Sequence, residues 1–124
     1  MGGLERRRIL EKLKRMLEGR GEVILAVVYG SFTKGGEFRD VDLAVYLKPG
    51  VDPLRYALDL EGMLEEALGY PVDVKPLNEA PAWFIKRVLE EGEVLLDRAR
   101  NVERLYLKAL DEGQALRVHL DGED

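Results

Sequence analysis

Two aspartates separated by one residue, Asp40 and Asp42, stand at the start of an apolar run that continues to Leu47. In an extended strand, residues i and i+2 point to the same face, so these two carboxylates project side by side. Adjacent carboxylates repel each other unless a cation lies between them. Oxygen ligands suit Mg²⁺, which binds one or two protein carboxylates together with the phosphates of a substrate. The pair therefore predicts a site for magnesium and a phosphorylated substrate.

A Gly-Ser turn, Gly30 and Ser31, precedes the aspartate pair and follows another apolar run, residues 23–29. Glycine allows a phosphate to approach the backbone closely, and the hydroxyl of Ser31, the only serine in the chain, can donate a hydrogen bond. Lys34 and Arg39 lie in the same loop and are candidates to neutralise phosphate charge, although each could equally be an exposed surface charge. A phosphate loop beside a metal pair is typical of phosphoryl or nucleotidyl transfer sites.

A third carboxylate, Asp73, lies in the later apolar segment 71–75. With it, the chain resembles the nucleotidyltransferase superfamily related to DNA polymerase β. The family pattern is Gly-Ser, a spacer, Asp-x-Asp and a carboxylate on a later strand, matched here by Gly30, Ser31, Asp40, Asp42 and Asp73. Over residues 20–97 the chain is similar to the minimal nucleotidyltransferase (MNT) group, whose members are often antitoxins paired with a helical HEPN-domain protein.

The resemblance implies a small mixed β-sheet flanked by helices, an α/β palm of the polymerase-β type. It implies that Asp40, Asp42 and Asp73 are catalytic and bind two magnesium ions, with Asp73 also taking the proton of the attacking hydroxyl. Gly30, Ser31, Lys34 and Arg39 are the predicted nucleotide-binding residues. The expected substrate is ATP, whose AMP group would be transferred to a hydroxyl of a HEPN-type partner.

Plainer interpretations stay open for the same residues. Each aspartate could be a polar residue on an exposed strand face, and the Gly-Ser pair could simply end a strand. Eight residues separate Ser31 from Asp40, fewer than is commonest in the family. The shorter loop favours an antitoxin that neutralises its partner by binding alone, or a nucleotide or metal sensor. The presence of all three carboxylates favours an enzyme, because binding alone does not require a metal triad.

Composition limits the classes of protein to consider. The 124 residues predict one domain, and 46% hydrophobic with 35% charged residues predict a globular one. No cysteine and a single histidine exclude disulfides and multi-histidine zinc sites. A net charge of −5 argues against general nucleic-acid binding.

No apolar run approaches the roughly 20 residues of a membrane helix, so we expect a cytoplasmic protein without membrane contact. Scarce Ser, Thr, Asn and Gln with abundant Glu, Arg and Leu is typical of hyperthermophile proteins. Self-association is left open.

Hydrophobic periodicity predicts that helices and strands alternate in the order α-β-β-α-β-α-β-α. The predicted helices span 4–18, 53–68, 81–91 and 98–116, and the predicted strands span 22–29, 40–47, 71–77 and 93–96. The short loop between the first two strands favours antiparallel pairing. Asp52 is the expected cap of the second helix, and Asn78 or Glu79 that of the third. Trp83 is expected in the core or on a partner surface, and residues 120–124 form an acidic end.

Overall fold

The computed structural model describes residues 2–98 and 100–120, including the side chains of 3–98 and 100–111. The predicted order of elements is confirmed. The elements are α1 (Gly2–Glu18), β1 (Val23–Tyr29), a 3-10 helix (Gly30–Lys34), β2 (Val41–Leu47), α2 (Pro53–Leu68), β3 (Val72–Pro76), α3 (Ala82–Glu91), β4 (Glu93–Asp97) and α4 (Asn101–Leu120). Of the predicted acidic end, residues 121–124 lie outside the described part of the chain.

The four strands form one mixed sheet in the order β3-β2-β1-β4. Strand β1 is antiparallel to both β2 and β4, whereas β3 runs parallel to β2. The central position of β1 follows from its sequence, because every residue from Leu25 to Val28 is buried and both faces of the strand therefore need cover. The α/β class and the antiparallel pairing of the first two strands are confirmed.

Helices cover both faces of the sheet and create two hydrophobic clusters. Helices α1 and α2 pack on one face, where Leu13, Leu43 and Leu64 are fully buried. Helices α3 and α4 pack on the other face against a smaller cluster that includes Val27, Ala44 and Val88. Within residues 2–98 and 100–120, none of the helices combines the length and apolar character needed to cross a bilayer.

The exposed edge of β3 is closed by side chains of α2 and by a proline. The backbone N–H of Val72 donates to Glu65 at 3.0 Å, and that of Val74 donates to Glu61 at 2.9 Å. Pro76 is the next residue whose backbone nitrogen faces away from β2, and as a proline it has no N–H to donate. Unpaired edge donors recruit other strands, so these contacts prevent the sheet from growing at β3.

Helix α3 starts next to Pro81, as predicted, but its cap and the start of α4 differ from those predicted. The side chain of Asn78 bonds to the N–H and the carbonyl of Leu47, both at 2.9 Å, and so extends the end of β2. Helix α3 therefore begins after Pro81 without a side-chain cap, and the predicted cap by Asn78 or Glu79 is wrong. The predicted cap of α2 by Asp52 is present, with its carboxylate accepting from the N–H of Arg55.

Helix α4 begins at Asn101 rather than at 98. A side chain at the end of β4 caps its first N–H groups. The carboxylate of Asp97 accepts from the N–H groups of Asn101 and Val102, at 2.6 and 3.2 Å. The guanidinium of Arg98 instead donates to the carbonyls of Val23 at 2.9 Å and Glu18 at 3.0 Å. Arg98 thus satisfies carbonyl groups near the end of α1, where a helix lacks internal partners.

Gly92, between α3 and β4, packs too closely for any larger residue. A Cβ atom there would lie 2.5 Å from Cγ1 of Val27 and 2.6 Å from the carbonyl of Val88. We expect Gly92→Ala to lower the free energy of unfolding by about 1–3 kcal/mol, because overpacking forces the neighbours to move. Gly62, within α2, has open space around it, so Gly62→Ala should raise this free energy by about 0.5–1 kcal/mol. Urea denaturation of both variants tests this, and equal stabilities would contradict it.

Candidate active site

One row of residues crosses three neighbouring strands at one end of the sheet, where β1 ends and β2 and β3 begin. Tyr29 of β1 pairs with Asp42 of β2, and Asp42 pairs with Asp73 of β3. Neighbouring strands are about 4.8 Å apart, so paired residues present their side chains side by side on one face. The two carboxylates lie on the face that α3 and α4 cover, and both are half-buried. The structure thus brings together Asp42 and Asp73, which are 31 residues apart in the chain.

Asp40 is exposed and lies just before β2 begins at Val41. Asp40 is nevertheless close enough to affect the charge of Asp42. Burial first, and then the negative charges of Asp40 and Asp73, raise the pKa of the Asp42 carboxyl. The three predicted carboxylates therefore share one electrostatic environment, and a cation there would relieve their repulsion.

Lys75 supplies a positive charge next to this row. Its ammonium lies 3.1 Å from both carboxylate oxygens of Asp73, and both side chains are about half exposed. No three acidic or histidine side chains of the described residues are arranged as a ready metal site. The neighbouring carboxylates of Asp42 and Asp73 nevertheless provide the all-oxygen donors that suit Mg²⁺. Their donor chemistry suits a magnesium ion, and ligation by Asp40, Asp42 and Asp73, with a second ion, remains a prediction.

Gly30 allows the loop to pack directly against Asp42. Its φ of +80° favours glycine, and a Cβ atom there would lie 2.4 Å from Oδ2 of Asp42. The hydroxyl of Thr33 donates to the carbonyl of Gly30 at 2.8 Å and holds the 3-10 turn in place. The predicted turn after β1 is therefore also the surface against which the carboxylate rests.

A cavity of about 200 Å³, here called the loop cavity, lies between this turn and α3. Of the predicted nucleotide-binding residues, Gly30 and Lys34 line the cavity together with Asp42. Ser31 and Arg39 are exposed and are not among its lining residues, so the structure places these two outside the cavity. Their proposed contact with nucleotide remains a prediction.

The wall of the loop cavity formed by α3 was not predicted. Arg87 lines it and adds a second cation to Lys34, and Glu91, which also lines the cavity, lies 3.6 Å from Arg87. Phe84 lines it as well and packs edge-on against Tyr29, with ring centroids 5.7 Å apart. Burial first, and then the charges of Asp42 and Asp73, raise the pKa of Tyr29 to about 12, so its hydroxyl stays protonated at neutral pH. In the sequence Arg87 looks like any charge on an exposed helix face, and no signal marked it.

Arg6 of α1 fixes the loop from the side opposite α3. Its Nε donates to the carbonyl of Phe32 at 2.7 Å, and its Nη2 donates to that of Gly36 at 3.0 Å. The guanidinium also lies 5.7 Å and 5.8 Å from the ring centroids of Phe32 and Phe38, within the range of cation–π attraction. Arg6 is one of three successive arginines, and nothing in the sequence distinguished it from its neighbours.

We expect Arg6→Ala to loosen the loop and to lower the free energy of unfolding by about 1–3 kcal/mol, since two carbonyls lose a charged donor. Arg6→Lys should restore only part of the loss, because an ammonium lacks the planar fork that reaches two acceptors. The exposed Arg7 is the control, and Arg7→Ala should change stability by less than about 0.5 kcal/mol. Hydrogen exchange of the amides of residues 30–40 measures the loosening, and unchanged protection in Arg6→Ala would contradict it.

We expect Asp42→Asn to raise the melting temperature when a chelator is present. The substitution removes a charge that burial and two neighbouring carboxylates disfavour in the folded state. The exposed Asp59 provides the control, because Asp59→Asn should leave the melting temperature unchanged. Scanning calorimetry at neutral pH measures both, and a lower melting temperature for Asp42→Asn would show that its charge stabilises the fold.

Residues 11–101 match the model of the family described as Polymerase beta, Nucleotidyltransferase. This range includes all four strands, the Gly-Ser turn and the three aspartates. No curated protein matches the chain.

Several solved structures share the fold. A toxin–antitoxin structure with AMP-PNP is 23% identical, with a TM-score of 0.75 over 91% of this chain and 93% of that chain. A structure of tri-AMPylated Shewanella oneidensis HEPN toxin in complex with MNT antitoxin provides a chain that is 22% identical. Its TM-score is 0.69 over 98% of this chain and 94% of that chain. A chain of the toxin–antitoxin MntA–HepT is 20% identical, with a TM-score of 0.72 over 94% and 93%.

At these identities the structural likeness establishes the fold, whereas the family model covers most of the chain, including the turn and the carboxylates. This protein therefore belongs to the polymerase beta nucleotidyltransferase family.

Proposed function

We propose that this protein is an MNT-type antitoxin that transfers AMP from ATP to a hydroxyl of a HEPN-type helical protein. The observation that carries the proposal is the row in which Asp42 and Asp73 lie side by side, with Gly30 packed against Asp42. The fold neighbours support the choice of donor and acceptor. One of them was solved with AMP-PNP, and another is an antitoxin bound to an AMPylated HEPN toxin.

The loop cavity is the proposed site of the triphosphate. Lys34 and Arg87 line it and would offer positive charge to the phosphates once Arg87 leaves Glu91, and Gly30 provides backbone without a side chain. Asp42 and Asp73, with Asp40 as the predicted third ligand, would hold magnesium. When bound, the metal supplies the charge neutralisation that lets a triphosphate approach these carboxylates.

The transfer itself requires a hydroxyl of the partner next to Asp73. Its oxygen attacks the α-phosphorus of ATP while its proton passes to the carboxylate of Asp73. A new P–O bond forms as the bond from the α-phosphorus to the bridging oxygen breaks, and pyrophosphate leaves. Lys34 and Arg87 would offset the charge that develops on pyrophosphate. Lys75 has to release the carboxylate of Asp73 before that group can accept the proton.

The transfer predicts a mass change in the partner. We expect the product of the neighbouring gene, which we propose to be the HEPN-type partner, to gain one AMP less one water when both proteins are incubated with Mg²⁺ and ATP. Asp42→Asn should slow the reaction at least about 100-fold, because it removes a metal ligand, while Asp59→Asn should have no effect. Excess chelator should abolish both the transfer and ATP binding. Intact-mass spectrometry follows the transfer, and full turnover by Asp42→Asn would rule out its role.

A second candidate function is neutralisation of the partner by binding alone. The ion pair between Lys75 and Asp73 favours neutralisation by binding alone, because Lys75 occupies the carboxylate that would have to accept the proton. In that case the partner co-purifies with this protein without any gain in mass, and Asp42→Asn neutralises the partner as well as the unaltered chain does.

A further inference from the structure

A second cavity, of about 590 Å³, opens on the other side of Phe84 from the loop cavity. We call it the Trp83 groove. Its walls come from the start of α2, the end of β3 and the start of α3, and they include Pro53, Leu54, Lys75, Pro76, Trp83 and Phe84. Lys75 also contacts the carboxylate of Asp73, at 3.1 Å. Lys75 therefore connects the wall of the groove to the proposed proton acceptor.

Large apolar side chains are exposed along this groove. Leu54 is 66% exposed and Trp83 is 64% exposed, although such side chains are usually buried. Leu58, which is 60% exposed, follows Leu54 by one turn of α2 and continues the apolar surface beyond the groove. An apolar surface of this extent is typical of a site where another protein binds. The expectation that Trp83 lies in the core is thus wrong, and its alternative position on a partner surface gains support.

The chemistry of the groove distinguishes a protein from a nucleotide. Asp52 and Glu79 line it, and its lysine is already paired with Asp73. The loop cavity instead contains two cations, Lys34 and Arg87, beside the acidic Asp42 and Glu91, and Glu91 lies 3.6 Å from Arg87. With magnesium bound at Asp42, the loop cavity favours a triphosphate, whereas the groove, with two acidic side chains and one paired lysine, favours an apolar surface flanked by basic side chains.

The edge of β3 restricts how such a surface can bind. Glu65 and Glu61 already accept from its outward N–H groups, and Pro76 has none. A partner therefore cannot add a strand at this edge. An apolar helix surface whose side chains insert into the groove requires no backbone pairing and fits these walls.

We propose that the Trp83 groove binds the acceptor protein. Its occupant is an apolar helical surface flanked by basic residues, which packs on Leu54 and Trp83 and brings the modified hydroxyl to Asp73. The inference rests on the proposed function, because the transfer needs an acceptor next to Asp73 while the nucleotide occupies the other side of Phe84. It adds to that function the surface by which the acceptor is selected.

Trp83 is the only tryptophan in the chain, so a label on this residue reports on the groove alone. We would incorporate 5-fluorotryptophan into the full chain and record its fluorine NMR signal. Addition of the neighbouring gene's product, the proposed HEPN-type partner, should shift or broaden the signal. Addition of Mg²⁺ and ATP without that protein should leave the signal nearly unchanged.

Two variants test the binding energy. Trp83→Ala and Leu54→Ala should each raise the Kd for the HEPN-type protein by about tenfold or more, as expected for central apolar contacts. The Kd of each variant for ATP with Mg²⁺ should stay within about twofold of the value for the unaltered chain, since neither residue lines the loop cavity. Leu107 of α4 is 57% exposed and does not line the groove, so Leu107→Ala is the matched control.

The outcomes separate this inference from the proposed function. Loss of ATP affinity in Trp83→Ala, or a signal shift with ATP alone, would assign the groove to the nucleotide and overturn the inference. Unchanged affinity of both variants for the HEPN-type protein would also overturn it. Binding in the groove without any gain of AMP supports the docking surface but overturns the proposed transfer, which the Asp42→Asn comparison tests separately.

Discussion

The pairing of β2 with a strand on each side is the constraint on which the site depends. Antiparallel pairing with β1 places Tyr29 beside Asp42, and parallel pairing with β3 places Asp73 on the other side. A shift of either register by one residue would turn the side chains of that strand to the opposite face. The apolar residues that alternate with the aspartates prevent such a shift, because Leu43 and Val74 are buried against α1 and α2. The same hydrophobic core that stabilises the fold therefore fixes the carboxylates.

This arrangement places like charges together in a partly buried position, which opposes folding. Burial and two neighbouring carboxylates disfavour the charged form of Asp42. Lys75 offsets part of this repulsion through its contact with Asp73. Functional sites commonly depart from the local rules that stabilise the rest of a protein. Here the departure is confined to one row of residues, and the well-packed sheet around it tolerates the repulsion.

The sequence predicted those features that depend on neighbours in the chain. The Asp-x-Asp spacing, the Gly-Ser turn and the order of helices and strands follow from local patterns. The features that were missed depend on contacts between distant residues. Arg6 binds Phe32, 26 positions away, and Asn78 bonds to Leu47, 31 positions away. No local pattern shows which of several arginines reaches a loop, or that an amide will extend a strand instead of capping a helix.

Gly92 has a consequence for how the two walls of the site can respond to substrates. Its backbone lies against Val27 and Val28 without space for a methyl group, so the end of α3 is anchored to the central strand. We therefore expect the wall that includes Phe84 and Arg87 to keep its position when substrates bind. The opposite wall is a short 3-10 turn that Arg6 and the buried ring of Phe32 hold in place. It is followed by two glycines with positive φ, Gly35 and Gly36, which have open space around them. We expect a change in the width of the site to come from this glycine segment rather than from α3.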